Sequence, residues 1–177
     1  MSEKIEDRFN TVTDPTGLNQ ALFQVTHGLY ILTAREGDKI NGQCLDALMQ
    51  VTNAPPRIAI GVGKRSLTHE MIVGSGRFVA NVIDRENPLC EAVVRRFGFQ
   101  SGRKVDKFAD YDYTASERGI PILPDAKAFF ECTILPDLTV DLATHSLFVA
   151  SVDRAGTHEQ GEPFTYNEYR KRMKKGG

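Results

Sequence analysis

From Leu29 to Val62 the chain reads as a succession of short extended segments, and that rhythm limits its fold more than any other feature. Leu29 to Ala34 is a compact apolar run, Glu36-Gly37-Asp38 has hairpin-turn chemistry, and Ile40 resumes an extended segment. Pro55-Pro56 stops that segment, and Arg57 to Val62 (RIAIGV) alternates with period two. Phe78–Ile83, Ala128–Leu135 and Ser146–Asp153 read as further strands. Three helices interrupt them. Asp14-Pro15 supplies an N-cap and first helical residue, after which Leu18, Leu22 and Val25 recur at helical spacing until Gly28. Ser66 to Val73 forms a second helix, ended by Gly74 and Gly76. Asn87-Pro88 opens a third, with Leu89, Val93 and Phe97 on one face and Gly98 at its end. The elements follow no repeated βαβ order. The implied architecture is mainly β (α+β): an antiparallel barrel with flanking helices.

One stretch, Gln100 to Leu123, has few regular patterns and several charges. Connections of that length are usually functional or mobile. A length of 177 residues suits one domain, 1–169, followed by a basic tail, 170–177, in which Arg170, Lys171, Arg172, Lys174 and Lys175 crowd together. That tail is either a solvated end or a docking patch for an acidic partner. The net charge of −1 gives no global field to recruit nucleic acid or a membrane surface. Cys44, Cys90 and Cys132 are odd in number and lack CxxC spacing, which argues against a disulfide framework and for a reducing cytoplasm. The charged start MSEKIEDRF is not signal-peptide-like, and no apolar run approaches the ~18 residues of a membrane span. A soluble cytoplasmic protein is expected.

Three segments could carry chemistry. Asn41 to Pro56 (NGQCLDALMQVTNAPP) places many amide and hydroxyl groups in a strand, where burial requires specific hydrogen-bond partners. A planar heteroaromatic ring would supply them; an exposed polar strand face is the plainer reading. Val62-Gly63-Lys64-Arg65-Ser66-Leu67-Thr68-His69 runs from strand through a basic pair to hydroxyls at a helix N-terminus, either a phosphate site or an ordinary cap. Phe97 to Phe108 (FGFQSGRKVDKF) holds cations and glycines that wrap an anion or solvate a turn. Neither GxxxxGK[ST] nor GxGxxG occurs, so no P-loop or Rossmann site is indicated. His27, His69, His145 and His158 show no metal-ligand spacing, and no metal is expected. His145, at a strand edge, reads as a structural hydrogen-bonder or as a redox-site residue.

In their order these segments resemble the flavin reductase-like FMN-binding family, over roughly Leu18 to Tyr169. The resemblance rests on GLYILTAREGDKINGQCLDALMQVTNAPPRIAIGV, GKRSLTHEMI, GRFVANVI, FGFQSGRKVDKF, THSLFVASV and PFTYNEY. It is nearest to the flavin reductase module joined to rubredoxin in high-molecular-weight rubredoxins, and to flavoredoxins. The resemblance implies a homodimeric split β-barrel with FMN at the edge of the dimer interface. Asn41, Gly42, Gln43, Cys44, Leu45 and Asn53 would meet the isoalloxazine and ribityl. Lys64, Ser66 and Thr68 would meet the ribityl and phosphate, while Arg103 and Lys107 would approach the flavin or an incoming nicotinamide. His145 matches the family histidine near the flavin. Cys44 stands where many relatives carry Thr or Ser, and a thiol is the weaker hydrogen-bonder.

The implied activity is transfer of hydride from NADH or NADPH to FMN, with electrons passed on to a protein or flavin acceptor. With three dispersed cysteines, any rubredoxin-like acceptor is expected as a separate protein. Two alternatives stay open: a flavoredoxin-type carrier without NAD(P)H activity, and a non-enzymatic FMN- or haem-binding module.

Overall fold

The computed structural model describes residues 8–175, so the leader reading of residues 1–7 and the terminal Gly176-Gly177 lie outside the described residues. The chain runs α1 (Pro15–Leu22), β1 (Tyr30–Glu36), β2 (Lys39–Leu45), β3 (Leu48–Asn53), β4 (Pro56–Gly63), α2 (Leu67–Ser75), β5 (Arg77–Ile83) and α3 (Cys90–Gly98). The two-residue strands β6 (Thr114–Ala115) and β7 (Pro121–Ile122) follow, then β8 (Ala126–Ile134), β9 (Val140–Leu142), β10 (His145–Thr157) and α4 (Tyr166–Lys175).

One sheet organises the molecule, in the order β2-β1-β5-β8-β10-β4-β3, with β9 added on β10. Every pairing in it is antiparallel. Its two end strands, β2 and β3, are consecutive in the chain and joined through Asp46-Ala47. Among the described residues no strand pairing closes the cylinder between them. The antiparallel split barrel expected from the sequence is therefore what the chain forms.

Strand pleat divides the apolar residues between two cores. On β1, Leu32 and Ala34 enter the barrel interior with Ile60, Phe78 and Phe148. Ile31 points the other way, into a second core with Val93, Val94, Phe97 and Phe164 beneath α3 and α4. Central strands covered on both faces carry nearly continuous apolar runs, and β5 (RFVANVI) is buried from Phe78 to Ile83. Phe78, Phe97 and Phe164 are among the largest fully buried side chains. Truncating any one to Ala costs about 3–5 kcal/mol.

Several local expectations change. The first helix stops at Leu22, short of Val25; Asp14 caps it by accepting from Gly17 N at 2.9 Å. No residue of that helix is buried. The third helix begins at Cys90, because Asn87 spends its side chain accepting from Leu89 N at 2.8 Å in the preceding turn. Leu89 is consequently exposed, and Cys90, Val93, Val94 and Phe97 form the buried face. The extended segment after Ile40 is two strands, broken at Asp46-Ala47. The basic run read as a tail from residue 170 continues α4 as far as Lys175, anchored by the buried Tyr169. Its Lys171, Arg172 and Lys174 are nonetheless exposed. No helix of the described residues is long and apolar enough to cross a membrane.

Candidate functional site

The split between β2 and β3 opens into a cavity of about 640 Å³. Leu45 to Met49 form one wall, Ala59, Gly61, Gly63, His145 and Leu147 the opposite one, and Val25, Thr26 and His27 the rim. The β10–β4 register sets His145 directly across from Gly63. His145 Nδ1 lies 2.9 Å from Thr144 Oγ1. A side chain at Gly63 would begin 3.5 Å from His145 Nε2, so the glycine leaves that face of the ring clear.

A second cavity, of about 290 Å³, adjoins the first through Gln43 and Cys44 and is polar in character. It runs between β2, the N-terminus of α2 and the loop after α3. Asn41, Arg65, Ser66, Thr68, Ser101, Arg103 and Lys107 line it. Ser66 caps α2, its Oγ accepting from His69 N at 3.1 Å. The N–H groups of the first helical turn otherwise lack intrahelical partners, and the positive end of the helix dipole lies there.

The walls are held from behind. Asn41 Nδ2 donates to the fully buried Thr68 Oγ1 at 2.8 Å, tying β2 to α2. Lys107 is 4% exposed, and its Nζ donates to Gly42 O at 2.8 Å and Phe97 O at 3.1 Å. Burial pushes its ammonium down to about 8. Gly42 has to be glycine, because a Cβ there would stand 2.9 Å from the Phe97 ring. Burial, with a smaller push from Asp46, raises the Cys44 thiol to about 12 against the opposing pull of Lys107. Cys44 is thus a neutral thiol at physiological pH, without thiolate reactivity. Gln43 Oε1 is buried and has no hydrogen-bond partner. Burying an unsatisfied acceptor costs about 1–3 kcal/mol.

Of the residues singled out from the sequence, Asn41, Gln43, Cys44, Ser66, Thr68, Arg103 and Lys107 meet at the polar cavity, and Gln43, Cys44, Leu45 and His145 at the apolar one. Gly42 acts beneath the wall as the acceptor of Lys107. Arg103 reaches the rim and pairs with Glu70 at 2.7 Å. Two residues stand apart. Asn53 sits exposed at the far end of β3, accepting from Gln50 Nε2 at 2.6 Å, because that strand has already left the split. Lys64 turns toward β9 and pairs with Asp141 at 2.5 Å, lining neither cavity. Its neighbour Arg65 lines the polar cavity instead. Among the described residues no group of three or more His, Cys, Asp or Glu could hold a metal.

The model of the flavin reductase like domain matches residues 22–175. The chain belongs to the flavin reductase-like family. A high molecular weight rubredoxin of Moorella thermoacetica is 45% identical over 151 residues, 85% of this chain and 64% of that protein. The chain thus spans somewhat less than two thirds of that relative. A ferric-chelate reductase (NAD(P)H) of Archaeoglobus fulgidus is 31% identical over 89% of this chain and 90% of its own length. Among solved structures, the family fold recurs in an NADH:FAD oxidoreductase of Streptomyces globisporus, with a TM-score of 0.78 at 23% identity, over 88% of this chain and 92% of that one.

The residues present fit a flavin. An apolar slot, an unsatisfied amide oxygen on the residue it shares with the recess, and a cationic, hydroxyl-lined recess at a helix N-terminus match a ring joined through a polyol to a phosphate.

Proposed function

We propose that the protein is an NAD(P)H-dependent flavin oxidoreductase that binds FMN across the two adjoining cavities. The observation that carries this reading is the sharing of Gln43 and Cys44 by an apolar slot and a cationic recess. When bound, the flavin takes a hydride from a reduced nicotinamide and passes electrons onward; the protein contributes binding, orientation and electrostatics. Leu45, Ala47 and Leu147 exclude water from the ring. Gln43 Oε1 accepts a hydrogen bond from it, and backbone N–H groups of the Gln43–Leu45 strand serve its polar edge. Arg65, Ser66 and the first turn of α2 hold the phosphate, with Thr68 fixing that turn to Asn41. Lys64, paired with Asp141, supports the β4–β9 side of the site without facing either cavity. Lys107 braces β2 from behind. His145, held through Nδ1 by Thr144, orders the ring or the nicotinamide.

The rim is built for a second subunit. Leu18, Leu22, Phe23 and Val25 are 41–61% exposed, and Met49 and Leu142 at the cavity mouth are 59% and 51% exposed. A homodimer that buries this surface covers the ring. Light scattering should report about twice the 19.7 kDa chain mass. The three free thiols suit a reducing compartment such as the cytoplasm.

The rubredoxin named in the relative from Moorella thermoacetica favours a rubredoxin-like protein as electron acceptor, and a basic docking surface would suit an acidic one. The helix α4, basic along its exposed side, stands beside the cavity rim: Tyr166 N donates to His27 O at 2.9 Å, and Arg170 lies 4.0 Å over the Phe23 ring.

The deciding experiment is anaerobic mixing of the flavin-loaded protein with NADH and with NADPH while the visible spectrum is followed. Rapid bleaching is expected. A flavin that stays oxidised with both would leave a carrier of the flavoredoxin type, and no flavin binding at all would end the reading.

A further inference from the structure

The wall of the apolar slot carries a charge that takes no part in the function proposed above. Among the described residues that line the slot, Asp46 is the only aspartate, glutamate, lysine or arginine. It follows Leu45 at the end of β2, where the chain breaks before β3. The break is fixed in place. Leu48 N donates to Asp46 O at 3.0 Å, and Gly61 N on β4 donates to Ala47 O at 2.9 Å. A side chain at Gly61 would begin 3.2 Å from Ala47 Cβ, so the glycine lets the break lie close against β4.

A partly buried carboxylate normally finds a cation or a donor. Asp46 has neither: among the described residues its side chain forms no ion pair and accepts no hydrogen bond. The cations of the site are engaged elsewhere. Lys107 donates to Gly42 O and Phe97 O, and Arg65 and Arg103 line the polar recess and not the slot. The other titratable groups facing the slot are Cys44, His27 and His145. The Asp46 charge is felt there, because it is one of the causes that raise the Cys44 thiol. Without a partner the carboxylate gives the fold no stabilising contact, so its effect falls on what enters the slot.

We propose that Asp46 lowers the reduction potential of the bound flavin by opposing the charge that reduction places on the ring. The proposal rests on the flavin reading above and deepens it. A hydride carries two electrons and one proton from the reduced nicotinamide, which leaves as its oxidised cation. The neutral ring that accepts the hydride then bears one negative charge. A carboxylate in the slot wall repels that charge but has little net effect on the uncharged oxidised ring. At a separation of roughly 10 Å and an effective dielectric constant of about 20, two unit charges repel strongly enough to change an equilibrium about tenfold. The reduced flavin is held less tightly than the oxidised one by that factor, and it yields its electrons more readily to the acceptor.

The test is Asp46→Asn, which keeps the size and removes the charge, with Asp46→Glu restoring it. The midpoint potential of each FMN-loaded protein is measured without air, at neutral pH, against a redox dye. Asp46→Asn should raise the potential by about 30 mV, the two-electron equivalent of a tenfold gain in the hold on reduced over oxidised flavin. Asp46→Glu should return that ratio to within about twofold of the parent. A substitution that only loosened the wall would weaken both forms of the flavin alike and leave the potential unchanged. That result, a potential that falls, or a rise that Asp46→Glu does not reverse would each overturn the proposal. If the parent protein binds no FMN, the flavin reading itself has failed.

Discussion

Asn41 on β2 and Thr68 in α2 are joined by a buried hydrogen bond of 2.8 Å, the amide Nδ2 donating to the hydroxyl oxygen. It fixes the helix terminus that faces the polar cavity to the strand that lines both cavities. Replacing Thr68 by Val keeps the shape and strands the amide, which costs about 1–3 kcal/mol. For a chain of this size the melting temperature should fall by about 2–4 °C per kcal/mol. The double variant Asn41→Leu, Thr68→Val should lose less than the sum of its parts. Thermal and urea unfolding of the four proteins checks this; strict additivity would mean that the two residues are not coupled.

Gln43→Leu should separate stability from binding. The substitution removes a buried acceptor that has no partner, so the flavin-free protein should be as stable as the parent or more so. Binding should weaken about five- to tenfold for FMN and riboflavin alike, the loss of one neutral hydrogen bond at the ring. A loss confined to FMN would move Gln43 to the phosphate end.

Arg65 and Lys64 are neighbours with opposite assignments. Arg65→Ala should weaken FMN by about tenfold or more and leave riboflavin, which lacks the phosphate, within about twofold. Lys64→Ala breaks the pair with Asp141 and should shift both ligands by similar, smaller factors. Fluorescence titration distinguishes them, and the reverse pattern would restore Lys64 as the phosphate ligand.

Lys107 should leave a signature in the pH dependence of stability. Burial pushes its ammonium from 10.5 to about 8, so between these values the unfolded chain holds a proton that the folded chain has released. Stability therefore rises with pH through that window, and the full cost of the buried charge is felt below it. Cys44 and Cys132 act oppositely, because burial raises their thiols and favours the unfolded thiolates above about 9. Comparison with Lys107→Met isolates the lysine: urea midpoints from pH 7 to 10 should move in favour of the parent as pH rises. A constant difference would mean that the amine titrates normally.

For α4, Lys171→Glu with Lys174→Glu should slow electron transfer to an acidic rubredoxin mainly at low salt, since exposed charges are screened beyond about 8 Å near 0.15 M. Flavin reduction by NADH should be unaffected. Stopped-flow rates at two ionic strengths decide it, and identical salt dependence in both proteins would remove the helix from docking.

Much of this was legible in the chain itself because it is local. The turn chemistry at Glu36-Gly37-Asp38, the alternation of Arg57–Val62 and the Ser66 cap each depend on a few adjacent residues. The strand carrying Asn41 to Leu45 stood out because its polar side chains contradict its extended, buried character. What was not legible depends on distance or direction. Which member of the Lys64-Arg65 pair faces the cavity is decided by Asp141, 77 residues away. Gly63 and His145 meet only through the β4–β10 register. The helical form of the basic run after Tyr166 was hidden because its charges dominate, while its burial depends on the single Tyr169 and on ring contacts with Phe23 and Phe164.

The two end strands of the sheet, β2 and β3, follow one another in the chain. Unpaired strand edges invite pairing with other molecules, and proteins normally shield them with charges, bulges or covering segments. Here both loose edges lie beside the ligand cavities, where bound flavin and a second subunit would cover them. Protection from edge-to-edge association and the capacity to hold a redox group then depend on the same occupancy. On the proposed reading, the ligand-free protein should associate edge to edge more readily than the flavin-loaded dimer.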